Sequence, residues 1–117
     1  MLAYKNRFHG HGSLRYVYSN GSSVRTQKIT VKFAKNPRRK DSRFAVVVSK
    51  KVLKSAVGRN RIRRRVYEII RHELPKIDGP FDVVVMIFHK SVKDISHEEL
   101  KENIVNTFKE ADFYCNK

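Results

Sequence analysis

Sixteen consecutive residues, Lys50 to Arg65, carry Lys50, Lys51, Lys54, Arg59, Arg61, Arg63, Arg64 and Arg65 with no acid among them. Amines and guanidiniums at this density neutralise phosphates and release their counterions, so any affinity they confer falls steeply with salt. Arginine adds planar bidentate hydrogen bonds that fit a phosphodiester. Asn60, set between two arginines, can donate and accept at once, which suits a base edge or a 2′-hydroxyl.

Other chemistries lack their residues. There is no glycine-rich phosphate loop, no Cys/His ligand set and no nucleophile elbow. The eleven acids form no close pair in a cleft-like context, so no catalytic residue and no metal ligand is assigned. His9 and His11 flank Gly10 and could chelate a metal, but no cysteine or carboxylate nearby completes a site. Residues 1–11 read instead as a flexible basic arm. Tyr16, Tyr18, Lys28, Thr30 and Lys32 suggest a second surface, because rings beside a basic strand make a stacking platform for unpaired bases. Tyr18 could equally complete the core.

The helix that must carry the cations begins at Ser55, a plausible N-cap, and stops at Pro75. Ile62, Val66, Ile69, Ile70 and Leu74 recur at helical spacing and form its apolar face. Asn60, Arg61, Arg64, Arg65, Arg71 and His72 fall away from that stripe, with Arg63 on its edge. Cations in the first turns oppose the helix dipole at about 0.3–1 kcal/mol each. Arg59/Arg63 and Arg61/Arg65 repel at i, i+4, and Arg64 with Glu68 is the one favourable pair expected. The C-terminal helix is built the other way. Ser96 caps it, Ser96-x-x-Glu99 matches a capping box, Glu98 and Glu99 occupy its first turn, and Lys109 its last turns. A polyanion absent from the free protein would resolve the conflict in the basic helix.

The remaining chain supplies a scaffold of 117 residues, enough for one domain with a sizeable core. The net charge of +15 is uneven: residues 1–67 hold 19 Lys and Arg against the single acid Asp41, and residues 68–117 hold 7 against 10. Such a field attracts phosphate backbones and anionic membranes alike. No apolar run reaches transmembrane length and the N-terminus lacks a signal peptide's apolar block. Cys115 is the only cysteine, so no intrachain disulfide forms. A cytoplasmic location is expected.

In chain order, Ser13–Asn20 reads as a short helix with Leu14, Val17 and Tyr18 on one face and Gly21 at its exit. Ile29, Val31 and Phe33 alternate with Lys28, Thr30 and Lys32, predicting a half-buried strand between Val24 and Phe33. A turn over Lys35–Asp41 leads to a strand at Arg43–Ser49, antiparallel to the first if the two form a hairpin. A loop over Lys76–Pro80 follows the basic helix. Phe81–Phe88 is nearly all apolar, as in an interior strand covered on both faces. The helix between it and the strand at 43–49 implies parallel pairing. A loop over His89–Ile95 precedes the last helix, Ser96–Ala111, with Leu100, Ile104, Val105, Phe108 and Ala111 inward. The order α-β-β-α-β-α indicates an α+β layer packing.

Arg59-Asn60-Arg61-Ile62-Arg63-Arg64, with Ser49-Lys50-Lys51-Val52 before, Ala56-Val57 between and Glu68 after, resembles the signature of the bacterial ribonuclease P protein subunit. The likeness runs over nearly the whole chain, including Arg7, Leu14-x-x-Val17, Gly21 and the Ser-x-x-Glu-Leu opening of the last helix. It implies a two-layer α-β sandwich with a mixed sheet and a left-handed βαβ crossover, the ribosomal protein S5 domain 2-like fold, where the general rule predicts a right-handed one.

The resemblance further implies a protein that assists a catalytic RNA in cutting precursor tRNA at the mature 5′ end. The RNA performs the hydrolysis and mainly holds the Mg2+. Lys50, Lys51, Arg59, Asn60, Arg61, Arg63 and Arg64 match the RNA-docking positions. Leu14, Tyr18 and Lys32 match a cleft for the single-stranded 5′ leader. The partners expected are the catalytic RNA and precursor tRNA, with no membrane and no obligate protein partner. Family members often carry aromatics where Leu14 and Lys32 stand, and Arg or Lys where Tyr67 stands. One extra residue sits between Lys51 and Ala56.

Composition alone would favour a different class, a structural RNA-binding protein of a ribosome-like particle. A third class, a basic amphipathic membrane binder, is disfavoured because the apolar face of the cationic helix carries no Trp or Phe and the helix is embedded among strands.

Overall fold

The computed structural model describes residues 6, 12–26, 28–35, 41–51, 53–77, 80–87, 89, 92, 94–111 and 113. Helix α1 (Gly12–Asn20) leads into strands β1 (Ser22–Arg25), β2 (Ile29–Lys35) and β3 (Arg43–Val48). Helix α2 (Ala56–Glu73), a 3₁₀ turn (Leu74–Lys76), strand β4 (Phe81–Ile87) and helix α3 (His97–Glu110) complete the chain. The turn over Lys35–Asp41 and Cys115 lie mostly or wholly outside the described residues.

The four strands form one mixed sheet in the order β1-β2-β4-β3. Its centre is β4, antiparallel to β2 and parallel to β3. Val83, Val84 and Val85 are each 0 % exposed, so consecutive side chains are buried on opposite faces, as the nearly all-apolar run predicted. That burial also displaces the expected hairpin. β2 and β3 do not pair, because β4 inserts between them and takes both as neighbours.

The strand predicted over Val24–Phe33 is two strands. Thr26 closes a tight turn, its N–H and Oγ1 donating to the Ile29 carbonyl at 2.8 and 3.0 Å. β1 then pairs back on β2 with Val24 opposite Val31. Thr26-Gln27-Lys28 contains no Gly, Pro, Asn or Asp, so the usual turn chemistry is missing from the sequence.

Alternation along the strands divides the sheet into two faces. Ile29, Val31, Phe33, Phe44, Val46, Val48, Phe81, Val83, Val85 and Ile87 pack with Ile62, Val66, Ile69 and Ile70 of α2 and with Leu100, Ile104 and Phe108 of α3. Phe113 seals one end of this core, with ring centroids 4.9 Å from Phe33, 4.7 Å from Phe81 and 5.2 Å from Phe108. Within α3, Thr107 is buried where Val105 was expected. Its hydroxyl donates to the Asn103 carbonyl at 2.7 Å, so it enters the core without an unmet polar group. Val105 is half-buried.

The other face carries Thr30, Lys32, Asp82 and Val84, and α1 lies across it with Val17 fully buried. At one end of this face Arg43 and Asp82, paired in register, make a bidentate ion pair at 2.8 and 2.7 Å with both side chains at most 5 % exposed. Beside it Ser42 accepts the Phe81 N–H at 3.0 Å on its Oγ, and the Asn6 Nδ2 donates to its carbonyl at 2.8 Å. Asn6 is buried, so the N-terminal arm is anchored at that residue; the rest of 1–11 lies outside the described residues.

Removing one partner of a buried pair leaves an uncompensated charge. Asp82→Ala is therefore expected to lower stability by about 3–5 kcal/mol in urea titration, and Arg43→Met with Asp82→Leu to recover most of the loss.

Candidate nucleic-acid interface

Three local devices present the cationic stretch. Ser49 accepts the Lys51 N–H on its Oγ at 3.1 Å and the Leu53 N–H on its carbonyl at 3.1 Å, closing a turn that leaves Lys50 and Lys51 exposed. Ser55 caps α2 as predicted, its Oγ accepting the Gly58 N–H at 3.1 Å. The helix starts at Ala56. Gly58 lets the loop pack tightly, since a Cβ there would meet Leu53 Cδ2 at 2.7 Å.

The helical cations then separate by what they already hold. Arg59 Nη1 donates to the Leu53 and Lys54 carbonyls at 3.0 and 2.8 Å, pinning the loop to the helix. Arg65 reaches the opposite flank, where its guanidinium donates to the Val92 carbonyl at 3.3 Å and the Ile95 carbonyl at 2.8 Å ahead of α3. Arg63 donates to Asn60 Oδ1. Arg61 and Arg64 are exposed and meet no carboxylate among the described residues.

Glu68 does not pair with Arg64. It takes Arg71 at i+3 and His72 at i+4 instead, toward the helix C-terminus where cations suit the dipole. The Arg71 hydrogen bond holds its carboxyl below the usual carboxylate range and raises Arg71 in turn. Leu74 serves as the C-cap and is half-buried, and Glu73 is buried just before it.

Asn60, Arg61 and Arg64 therefore form one outward stripe, joined at its start by Lys50, Lys51 and Lys54. Beside the stripe an open groove of about 400 Å³ is lined by Val57, Asn60, Arg63, Arg64 and Tyr67. Val57 is 75 % exposed. Tyr67 leans to the sheet edge, where its hydroxyl accepts the Val46 N–H of β3 at 3.1 Å. Sequence reasoning assigned neither residue a role. The signal was an apolar residue one turn before Arg61, on the polar side of the helical wheel.

On the opposite face of the sheet, Tyr18 is 39 % and Tyr16 56 % exposed, so Tyr18 does not complete the core. Lys32 Nζ lies 5.5 Å from the centroid of the Tyr18 ring, within cation–π range. Leu14 lies on α1 one turn before Tyr18; its side chain is outside the described residues. Gly21 brings α1 onto β2. A Cβ there would stand 2.5 Å from the Val17 carbonyl oxygen and 2.7 Å from that of Phe33, so space makes glycine necessary. Lys28 and Thr30 leave the expected platform. Lys28 pairs with Glu99 of α3 at 3.5 Å, and Thr30 is buried with its hydroxyl unpartnered among the described residues.

The family model described as Ribonuclease P matches residues 2–112. The chain belongs to the ribonuclease P protein family. Relatives include the ribonuclease P protein components of Clostridium botulinum, 32 % identical over 110 residues covering 94 % of this chain and 97 % of the relative, and of a Pseudanabaena species, 30 % identical over 111 residues and 95 % of each. Two solved structures share the fold. The RNase P protein of Thermotoga maritima superposes with a TM-score of 0.79 at 27 % identity, over 89 % of this chain and 96 % of that one. That of Staphylococcus aureus gives 0.84 at 24 % identity, over 94 % and 98 %.

As a ribonuclease P protein component the chain is part of an endoribonuclease complex of tRNA processing and a partner of the ribonuclease P RNA. A ribosome-like structural role is not favoured. No helix among the described residues is long and apolar enough to cross a membrane.

The division among arginines is measurable in the ribonuclease P assembly. Arg65→Met is expected to lower stability by about 1.5–3 kcal/mol while leaving the salt dependence of RNA binding unchanged. Arg64→Met should leave stability alone and reduce the slope of log affinity against log salt by about one.

Proposed function

We propose that this ribonuclease P protein docks on the catalytic RNA through Lys50, Lys51, Arg59, Asn60, Arg61, Arg63 and Arg64. The cleft at Leu14, Tyr18 and Lys32 holds the 5′ leader of precursor tRNA, so that endonucleolytic cleavage releases the mature 5′ end. The observation that carries this reading is the placement of the two surfaces on opposite faces of one sheet. The α2 stripe and the Tyr18–Lys32 pair can each meet a different strand at once, and four rigid hydrogen-bonded strands fix the distance between them. A protein of this shape aligns substrate and ribozyme by binding, which converts an intermolecular encounter into a positioned one.

Within the surface the roles differ. Arg61, Arg64, Lys50 and Lys51 supply charge to phosphates. Arg59 contributes mainly by holding the loop that displays the lysines, since both of its neighbouring carbonyls occupy it. In the cleft, Tyr18 offers a stacking face to an unpaired base and Lys32 neutralises the adjacent phosphate while polarising the ring.

The hydrolysis and the Mg2+ ions belong to the RNA subunit in this reading. The complex operates in the cytoplasm and needs no further protein.

Purified protein added to the catalytic RNA and precursor tRNA at low Mg2+ is expected to accelerate 5′ cleavage; an unchanged rate would sink the reading. Arg61→Glu with Arg64→Glu should weaken binding of the catalytic RNA at least tenfold with the thermal midpoint retained, and full binding at moderate salt would refute the docking surface. Tyr18→Ala should lower affinity for long-leader substrate and spare leaderless product. Equal loss for both would remove the leader from the cleft.

A further inference from the structure

We propose that the groove beside α2 is a nucleobase site selective for an unstacked guanine of the partner RNA, an inference that rests on the docking role assigned to α2. A run of arginines needs no cavity to bind phosphates. Yet Val57, Asn60, Arg63, Arg64 and Tyr67 line an open groove of about 400 Å³, comparable to the roughly 300–1,000 Å³ of small-ligand clefts. Val57 stands 75 % exposed at this groove, among cations that would each be better hydrated without it. The Tyr67 ring is held in place by the Val46 N–H on its hydroxyl, so an aromatic wall is ready before any ligand arrives. An apolar residue and a fixed ring suit a flat π-system, and the charge of the rim suits the phosphates on either side of it.

The rim also reads the base. Arg63 can only donate, so the Asn60 atom that faces it is the oxygen, and the amide nitrogen is turned the other way. With one Oδ1 lone pair taken and the Arg63 guanidinium standing against that oxygen, Asn60 offers its N–H donors more freely than the acceptor by which a free asparagine pairs with adenine. Arg64 adds more donors and no acceptor. Guanine offers O6 and N7, two adjacent acceptors, to such a donor-rich edge. Adenine places an amino group where O6 would be, and cytosine presents a donor likewise.

The test uses full-length protein carrying 13C-methyl valine and 15N asparagine, titrated at constant ionic strength with GMP, AMP, CMP, UMP and inorganic phosphate. GMP is expected to shift the Val57 methyls and the Asn60 side-chain amide at a midpoint about tenfold below that of AMP, with phosphate leaving Val57 unmoved. Equal midpoints for the four nucleotides, or a Val57 signal that does not respond, would overturn the site. Asn60→Asp removes the donors and should equalise GMP and AMP; a preference that survives it counts against the proposed readout. Tyr67→Phe keeps the ring and should keep the GMP response, whereas Tyr67→Ala with unchanged far-ultraviolet circular dichroism should lose it. Catalytic RNA titrated in parallel separates the two levels. Tight RNA binding without guanine preference rejects the nucleobase site alone, and absent RNA binding rejects the docking role beneath it.

Discussion

Burial of β4 on both faces is the constraint from which the architecture follows. A strand whose consecutive valines are all excluded from water must have neighbours on both edges and a layer above and below. β2 and β3 supply the edges, which is why two strands adjacent in sequence never pair. Helices α2 and α3 supply one layer with most of the large apolar side chains. Among the described residues the other face is covered mainly by the nine-residue helix α1, too short to span four strands, with Asn6 at one end. The accessible sheet surface beside α1, where Tyr18 and Lys32 meet, is thus a by-product of satisfying β4 with unequal covers. The same asymmetry places the Tyr18–Lys32 surface and the cationic helix on opposite faces of the sheet.

The cationic helix shows how a fold tolerates charges that oppose it. Arg59 and Arg65 point to opposite flanks and spend their donors on backbone carbonyls of the preceding and following loops. Each such bond satisfies a carbonyl that no secondary structure claims and removes a guanidinium from the repulsive surface. Arg71 and His72 share Glu68 near the C-terminus. What remains outward is a short set, Arg61, Arg64 and the loop lysines, whose charge nothing in the described protein neutralises. A charge census would have counted eight equivalent cations where the structure distinguishes three kinds.

Much of this was legible in the residues. The limits of α2 and α3, the Ser55 and Ser96 caps, the interior strand and the parallel crossover all follow from periodicity and capping chemistry, because those signals act within one turn or one strand. The division of the first strand into β1 and β2 was hidden because Thr26 makes the turn with its hydroxyl. Strand order was hidden because pairing is decided by burial summed over the whole sheet, and a local hairpin is only the shortest closure available. The cationic residues were visible as charge and as a resemblance, but the occupation of Arg59, Arg63 and Arg65 depends on where distant carbonyls and amides fall. Val57 entered only as part of the signature and Tyr67 only as a departure from it, and neither carries charge, so it is the folded groove that brings them together.

The electrostatics of α2 also explain why the surface is suited to a nucleic-acid partner in particular. Like-charged neighbours at i, i+4 and cations at a helix N-terminus each cost a few tenths to one kcal/mol in dilute salt. Mobile counterions relieve that cost in the free protein only partly, since the Debye length at physiological ionic strength, about 8 Å, exceeds the spacing of adjacent turns. A polynucleotide relieves it with fixed charges and returns its own condensed ions to bulk solution. The same added salt therefore steadies the free helix and weakens the complex. A helix held together by packing on Ile62, Val66, Ile69 and Ile70 can bear this burden, because its formation does not depend on the charged face at all.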